Sequence, residues 1–299
     1  MSSPRLFPSQ VCFVVDDVPA AVQDCVTRFG WGPFQQFSAP VDDAEYRGWR
    51  GRKLTDVALG MAGSVQVELI HVHEGHDAVE AYQAEYGRGF QHLGVGVRSR
   101  DEALRHLEAH GGVLNSLTDY ADLKIAFVDL PTGPAMFELL ESNATPVPEG
   151  GERPGRDLGT YAAGVTTVEV DRATIVCEDM DRALRFHAAA FRWDGACAEE
   201  ATLRHPGGEA RLRRFLGRAG TLELELIEAR PDGADPYAAH LRRGAHGLVH
   251  AGGPRSDAIS DAAVLECEWL ESAEHFGLYP WAGGETALQL RNSPSDALA

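Results

Sequence analysis

The sequence predicts an α+β fold of tandem βαβββ modules, organised as two domains in one chain. Three observations lead there. Apolar stretches read as strands, with one amphipathic helix following the first strand of each set. The order strand, helix, strand, strand, strand occurs twice before residue 143. The opening pattern then returns, diverged, in the second half, which marks an internal repeat.

Gln10 to Val15 is an apolar, β-branched run and so a buried strand. Asp16-Asp17 with Pro19 is a helix-start signal, Ala21, Val22, Cys25, Val26 and Phe29 follow at helical intervals, and Gly30 ends the helix. Strands are expected at Phe34 to Phe37, Val57 to Met61 and Val65 to Ile70, the last two joined by a turn at Ala62-Gly63-Ser64. The polar stretch Asp42 to Lys53 reads as a loop able to reach over a site, with Tyr46 and Trp49 as a lid or as loop packing, and Arg47, Arg50, Arg52 and Lys53 as an ordinary exposed basic patch or, as the lesser alternative, a steering site for an anion. His71, His73 and His76 read as a solvated loop. After a short helix at Ala78 to Tyr86 the second module begins: strand Phe90 to Val97, helix Asp101 to His110, and strands near Val113 to Leu117, Lys124 to Leu130 and Ala135 to Leu140.

Pro and Gly crowd residues 144–164, which read as a linker between domains at 1–143 and 165–299. Beyond it Gln10 to Asp17 is echoed by Arg172 to Asp179, and Val67-Glu68-Leu69-Ile70 by Leu224-Glu225-Leu226-Ile227. A net charge of −18 opposes nucleic-acid binding and an anionic membrane surface, since both need concentrated Lys and Arg. Five cysteines without Cys-x-x-Cys spacing indicate neither a disulfide framework nor a zinc ribbon. With no apolar leader and no membrane-length apolar run, a cytoplasmic protein is expected, acting as a monomer or homodimer on a small molecule.

Strand alternation brings out a constellation. Val11, Phe13 and Val15 point to the helix side, as do Val67 and Leu69, Leu93 and Val95, and Phe137 and Leu139. The opposite face then carries Gln10, Glu68, His92 and Glu138, with Gly94 and Gly96 leaving room beside the histidine. An amide oxygen, two carboxylates and an imidazole suit one borderline divalent ion such as Zn, Ni, Co, Mn or Fe, with positions left for water or substrate. Cys12, Val14, Gln66, Ile70, Met136 and Leu140 share that face as pocket lining, and Tyr46 and Arg47 are the expected substrate contacts from the loop.

At these residues the chain resembles the vicinal oxygen chelate superfamily, which includes glyoxalase I, methylmalonyl-CoA epimerase and the extradiol dioxygenases. The resemblance covers residues 9–142 and 170–293. It implies that paired modules curl into half-barrels around one metal, held here by Gln10, Glu68, His92 and Glu138, a combination like that of glyoxalase I. The run from Asp16-Asp17-Val18 through Phe29-Gly30-Trp31-Gly32-Pro33-Phe34 is most similar to the epimerase-like branch.

The resemblance has departures. The matching positions of the second copy are Arg172, Glu225, Gly247 and Gln289, a set that cannot form that site, so the second domain is expected to be structural or a substrate wall. Extradiol dioxygenases carry their iron in the C-terminal half, which counts against that activity. Ala58 stands where the epimerase branch has a catalytic carboxylate. The expected function is proton transfer on a small oxygenated substrate, of isomerase, epimerase or lyase type, with Glu138 or Glu68 as base. An Fe(II) dioxygenase at the same ligands and a metal-free, drug-sequestering resistance protein are the alternatives.

Overall fold

The computed structural model describes residues 4, 6–119, 123–142, 156–161, 168–242, 247–254, 265–270, 272, 274–280 and 287–291. Its first module is β1 (Phe7–Val14), α1 (Val18–Asp24), β2 (Phe34–Tyr46), β3 (Trp49–Ala62) and β4 (Val65–Glu74). The Asp17 side chain caps α1 by accepting from the Ala20 amide at 2.9 Å. The helix runs on as a π-helical turn, Cys25–Phe29, that stops at Gly30 with φ of 70°. A connecting α2 (Ala78–Tyr86) leads to β5 (Gly89–Gly96), α3 (Arg100–Glu108), β6 (Val113–Asp119), β7 (Leu123–Leu130) and β8 (Gly133–Ser142). The second half repeats the plan with β10 (Arg172–Cys177), α4 (Met180–Phe191), β11 (Glu199–His205), β12 (Gly208–Ala219) and β13 (Leu222–Glu228). It continues with α5 (Pro236–Arg242), β14 (Gly247–Pro254), β15 (Leu265–Trp269), β16 (Glu274–Pro280) and β17 (Ala287–Arg291).

Three expectations need correcting, the first being that His71 and His73, expected on a solvated loop, lie on β4. Asp42 to Lys53 is not a loop but the end of a long β2–β3 hairpin, turned by Arg47-Gly48 with φ of 47° and 84°. Its inward side carries Tyr46, Trp49, Gly51 and Lys53 rather than a run of apolar residues, so the apolar alternation that betrays a half-buried strand is missing although Tyr46 is buried. The basic patch there is largely neutralised: Arg50 lies 3.1 Å from Glu45 and 3.5 Å from Asp43, and Lys53 lies 2.5 Å from Asp77. Within the stretch read as a linker, Arg156–Tyr161 forms a strand, β9, that pairs with β2; residues 143–155 and 162–167 lie outside the described residues.

The N-terminal strands form one open sheet in the order β6-β7-β8-β5-β1-β4-β3-β2-β9, whereas the C-terminal strands close into a barrel. The difference lies at one seam. β11 pairs with β15, Leu203 opposite Trp269, but their counterparts β2 and β6 do not pair. Both sheets turn their helix-bearing faces to a common core that runs from Val11, Phe13, Leu93 and Phe137 to Ile175, Phe186 and Leu224. Phe137 meets Phe191 at 5.6 Å between ring centroids, and the Trp31 indole donates to the Val168 carbonyl at 2.8 Å. The opposite face of the N-terminal sheet is therefore directed away from the core shared by the two halves.

Candidate metal centre

Four neighbouring strands build the centre. β1 runs parallel to β4, putting Cys12 opposite Glu68, and antiparallel to β5, putting Cys12 opposite His92 and Gln10 opposite Gly94. β8 lies beside β5 with Glu138 opposite Gly94. His92 Nε2 lies 3.2 Å from Glu68 Oε2 and 3.3 Å from Glu138 Oε2. Two donors that share one ion at about 2.1 Å stand about 3.0–3.4 Å apart, so these ion-pair spacings also have room for a shared ion. Gln10 donates its amide to Gln66 Oε1 at 2.9 Å, which leaves its own Oε1 over Gly94, where any Cβ would overlap it.

Gln10 Oε1, Glu68 Oε2 and His92 Nε2 are all buried without a well-formed hydrogen bond, the last two facing each other as an ion pair. A buried acceptor such as Gln10 Oε1 left without a partner is rare and costs about 1–3 kcal/mol. The three atoms on this patch, all with lone pairs suited to a divalent ion, fit the metal that the residue types call for. Burial opposes charge on His92, but the Glu138 and Glu68 carboxylates outweigh it and lift the ring to about 9. Burial also raises Glu138, with His92 opposing. Cys12 Sγ lies within 4.8 Å of the Glu68 and His92 donor atoms, but burial and then the two carboxylates push its thiol well up, so it lines the site as a neutral group.

The structure adds a residue that strand reading passed over. Between Cys12–His92 and Phe13–Phe90 the register slips by one, so Gln91 is the extra residue of a β-bulge. Phe90 consequently lies in the core against Phe13, and Gln91 reaches the ring of its neighbour, its Oε1 in contact with His92 Nδ1. A fully polar side chain in an otherwise apolar strand was the available signal.

The other expected contacts fall into two groups. Val14 and Ile70 pack with Cys12 beneath Val79 and Tyr82 of α2, which closes one end of the sheet's open face. Gln66 holds Gln10, and Leu140 is half-buried on β8. Tyr46, Arg47 and Met136 instead line a cavity of about 320 Å³ at the unpaired seam, with Ala78, Tyr82, Tyr86, Asn115 and Asp129. Arg47 spans that seam to Asp129 at 3.7 Å. The four candidate ligands do not line the cavity; Met136, opposite His92 in the β5–β8 pairing, stands between.

The C-terminal counterpart is filled differently. Thr174 lies opposite Glu225 and His250, as Cys12 lies opposite Glu68 and His92, and Gly252 lies opposite Gln289. The position matching His92 is therefore His250, not Gly247: β14 carries the same bulge, and His92-Leu93-Gly94 aligns with His250-Ala251-Gly252. Glu225 accepts from Arg214 Nε and Thr174 Oγ1, both at 2.7 Å, and Arg172 lies 3.7 Å away. Burial favours its neutral form, yet Arg214 and Arg172 hold it down at about 2. A guanidinium thus takes the place beside this carboxylate.

Residues 9–127 match the family profile described as the Glyoxalase/Bleomycin resistance protein/Dioxygenase superfamily. Among solved structures, a triple mutant of 4-hydroxymandelate synthase from Streptomyces coelicolor is similar over 97% of this chain and 94% of its own, with a TM-score of 0.66 at 13% identity. A xylose isomerase-like TIM barrel/4-hydroxyphenylpyruvate dioxygenase fusion protein is similar over 98% of this chain, with a TM-score of 0.54 at 14% identity; the chain spans 50% of that protein. No curated protein matches. Residues 9–127 thus carry the profile of the glyoxalase/bleomycin resistance protein/dioxygenase superfamily, and the chain as a whole shares the fold of the 4-hydroxymandelate synthase structure.

Proposed function

We propose that the protein is a metal-dependent enzyme that takes a small substrate with two neighbouring oxygens and moves a proton at the adjacent carbon. The observation that supports this reading is the convergence of buried Gln10 Oε1, Glu68 Oε2 and His92 Nε2, none with a well-formed hydrogen bond, beside Glu138. With Glu138 these residues would hold one divalent ion, which when bound supplies Lewis acidity to the substrate's oxygens. Four protein donors would leave places on such an ion for two vicinal oxygens. Glu138 or Glu68 takes the proton, each already within reach of a group at the centre. Tyr46 and Arg47 receive the substrate at the seam, and Met136 forms the inner wall of that entrance.

The reading is tested by metal analysis and a chelator-controlled screen of α-ketoaldehyde adducts, acyl-CoA esters and aromatic catabolites. One divalent ion per chain is expected, with loss of both metal and turnover in His92→Ala; metal-free protein whose turnover survives that substitution refutes it. The likeness to 4-hydroxymandelate synthase favours a second reading, Fe(II) oxygenation at the same ligands. Assay without oxygen separates the two, because proton transfer proceeds anaerobically.

A further inference from the structure

We infer that Gln91 is the positioning residue of this centre: its side-chain oxygen accepts a hydrogen bond from His92 Nδ1–H and so aims Nε2 at the space between the Glu68 and Glu138 carboxylates. The inference rests on the metal reading for its purpose but on independent geometry for its substance. Adjacent residues of a regular strand point to opposite faces. The bulge in β5 cancels that rule at one place, sending Phe90 and Leu93 into the core while Gln91 and His92 come together. Gln91 is completely buried, and its amide nitrogen is turned the other way, 3.5 Å from the Ala78 carbonyl and 3.7 Å from Met136 Sδ. Its oxygen has no hydrogen to give, so the ring nitrogen facing it must carry one. The Phe127 ring stands edge-on to the imidazole at 5.2 Å and limits its rotation. A ligand histidine fixed through its far nitrogen binds metal more tightly, and loss of such a partner typically costs about 10- to 100-fold in affinity.

The test uses the full chain with Gln91→Leu and Gln91→Glu, the latter keeping an acceptor oxygen. In the metal-free wild type, a His92 Nδ1–H resonance protected from exchange is expected by ¹H–¹⁵N spectroscopy; Gln91→Leu should lose that protection, and Gln91→Glu should keep it. Cobalt(II) affinity should fall about 10- to 100-fold in Gln91→Leu and return to within about threefold of wild type in Gln91→Glu. Should Gln91→Leu not fold, Gln91→Met, of similar length and without the oxygen, takes its place. An unchanged Nδ1–H resonance in Gln91→Leu, unchanged cobalt affinity, or equal weakening in both variants overturns the assignment. A wild type that shows the resonance yet binds no cobalt ends the metal reading and leaves the hydrogen bond assigned.

Discussion

Gln10 and Gly94 show how closely the centre depends on single atoms. A methyl group on Gly94 would overlap the Gln10 oxygen and meet its Cβ at 2.6 Å. Gly94→Ala is therefore expected to displace Gln10, weaken divalent-metal binding and destabilise the fold by about 1–3 kcal/mol, the usual cost of overpacking. Cobalt titration and urea denaturation of the same variant check both effects. The four side chains were legible in the sequence because each sits on a strand with clean alternation, which fixes its face without any knowledge of pairing. Gln91 was not, because a bulge breaks the period of two that carried the inference. His250 has a different cause: setting Gly247-Leu248 against His92-Leu93 puts the repeat three residues out of register, which the strand pairing alone reveals.

The short helix α2 contributes more than its length suggests. Its N-terminus is held by Asp77, whose Oδ1 accepts from the Val79 and Glu80 amides at 2.8 Å and whose Oδ2 pairs with Lys53. Tyr82 then ties the helix to β5 through the Phe90 carbonyl at 3.1 Å. Asp77→Ala removes the cap, at a cost of about 1–2 kcal/mol, and should raise amide hydrogen exchange throughout α2 before any other element responds. A helix here was readable from spacing; that it roofs Cys12, Val14 and Ile70 was not, because periodicity reveals that a face is buried and never against what. The β2–β3 hairpin failed differently, since the inward side of its outer end carries no run of apolar residues.

The two halves are joined through a core that contains one unusual member. His187 lies among Phe137, Phe186 and Phe191, donates Nδ1–H to the Ala183 carbonyl at 2.8 Å and leaves Nε2 buried without a partner. Burial holds it down at about 4, against 6.5 for an unhindered imidazole. The unfolded chain therefore takes up this proton near pH 6.5 and the folded one only near pH 4, so stability is full above 6.5 and falls as pH drops through that window, by up to about 3 kcal/mol. His187→Phe should flatten the dependence, measured as denaturation midpoints at pH 4.5 and 7.5.

Each strand of the sheet and of the barrel that holds the shared core does so with one face only, and this shapes what a duplicated copy was free to become. Ala173, Ile175, Leu224 and Leu226 keep the second half joined to the core, while Arg172, Thr174 and Glu225 lie at the inward positions. Arg214 sets a permanent, covalently attached positive charge beside Glu225, where Glu68 has His92 instead. On the metal reading, a cell starved of divalent ions would empty one half of this molecule and leave the other untouched. Metal supply would then govern the chemistry without governing the survival of the protein.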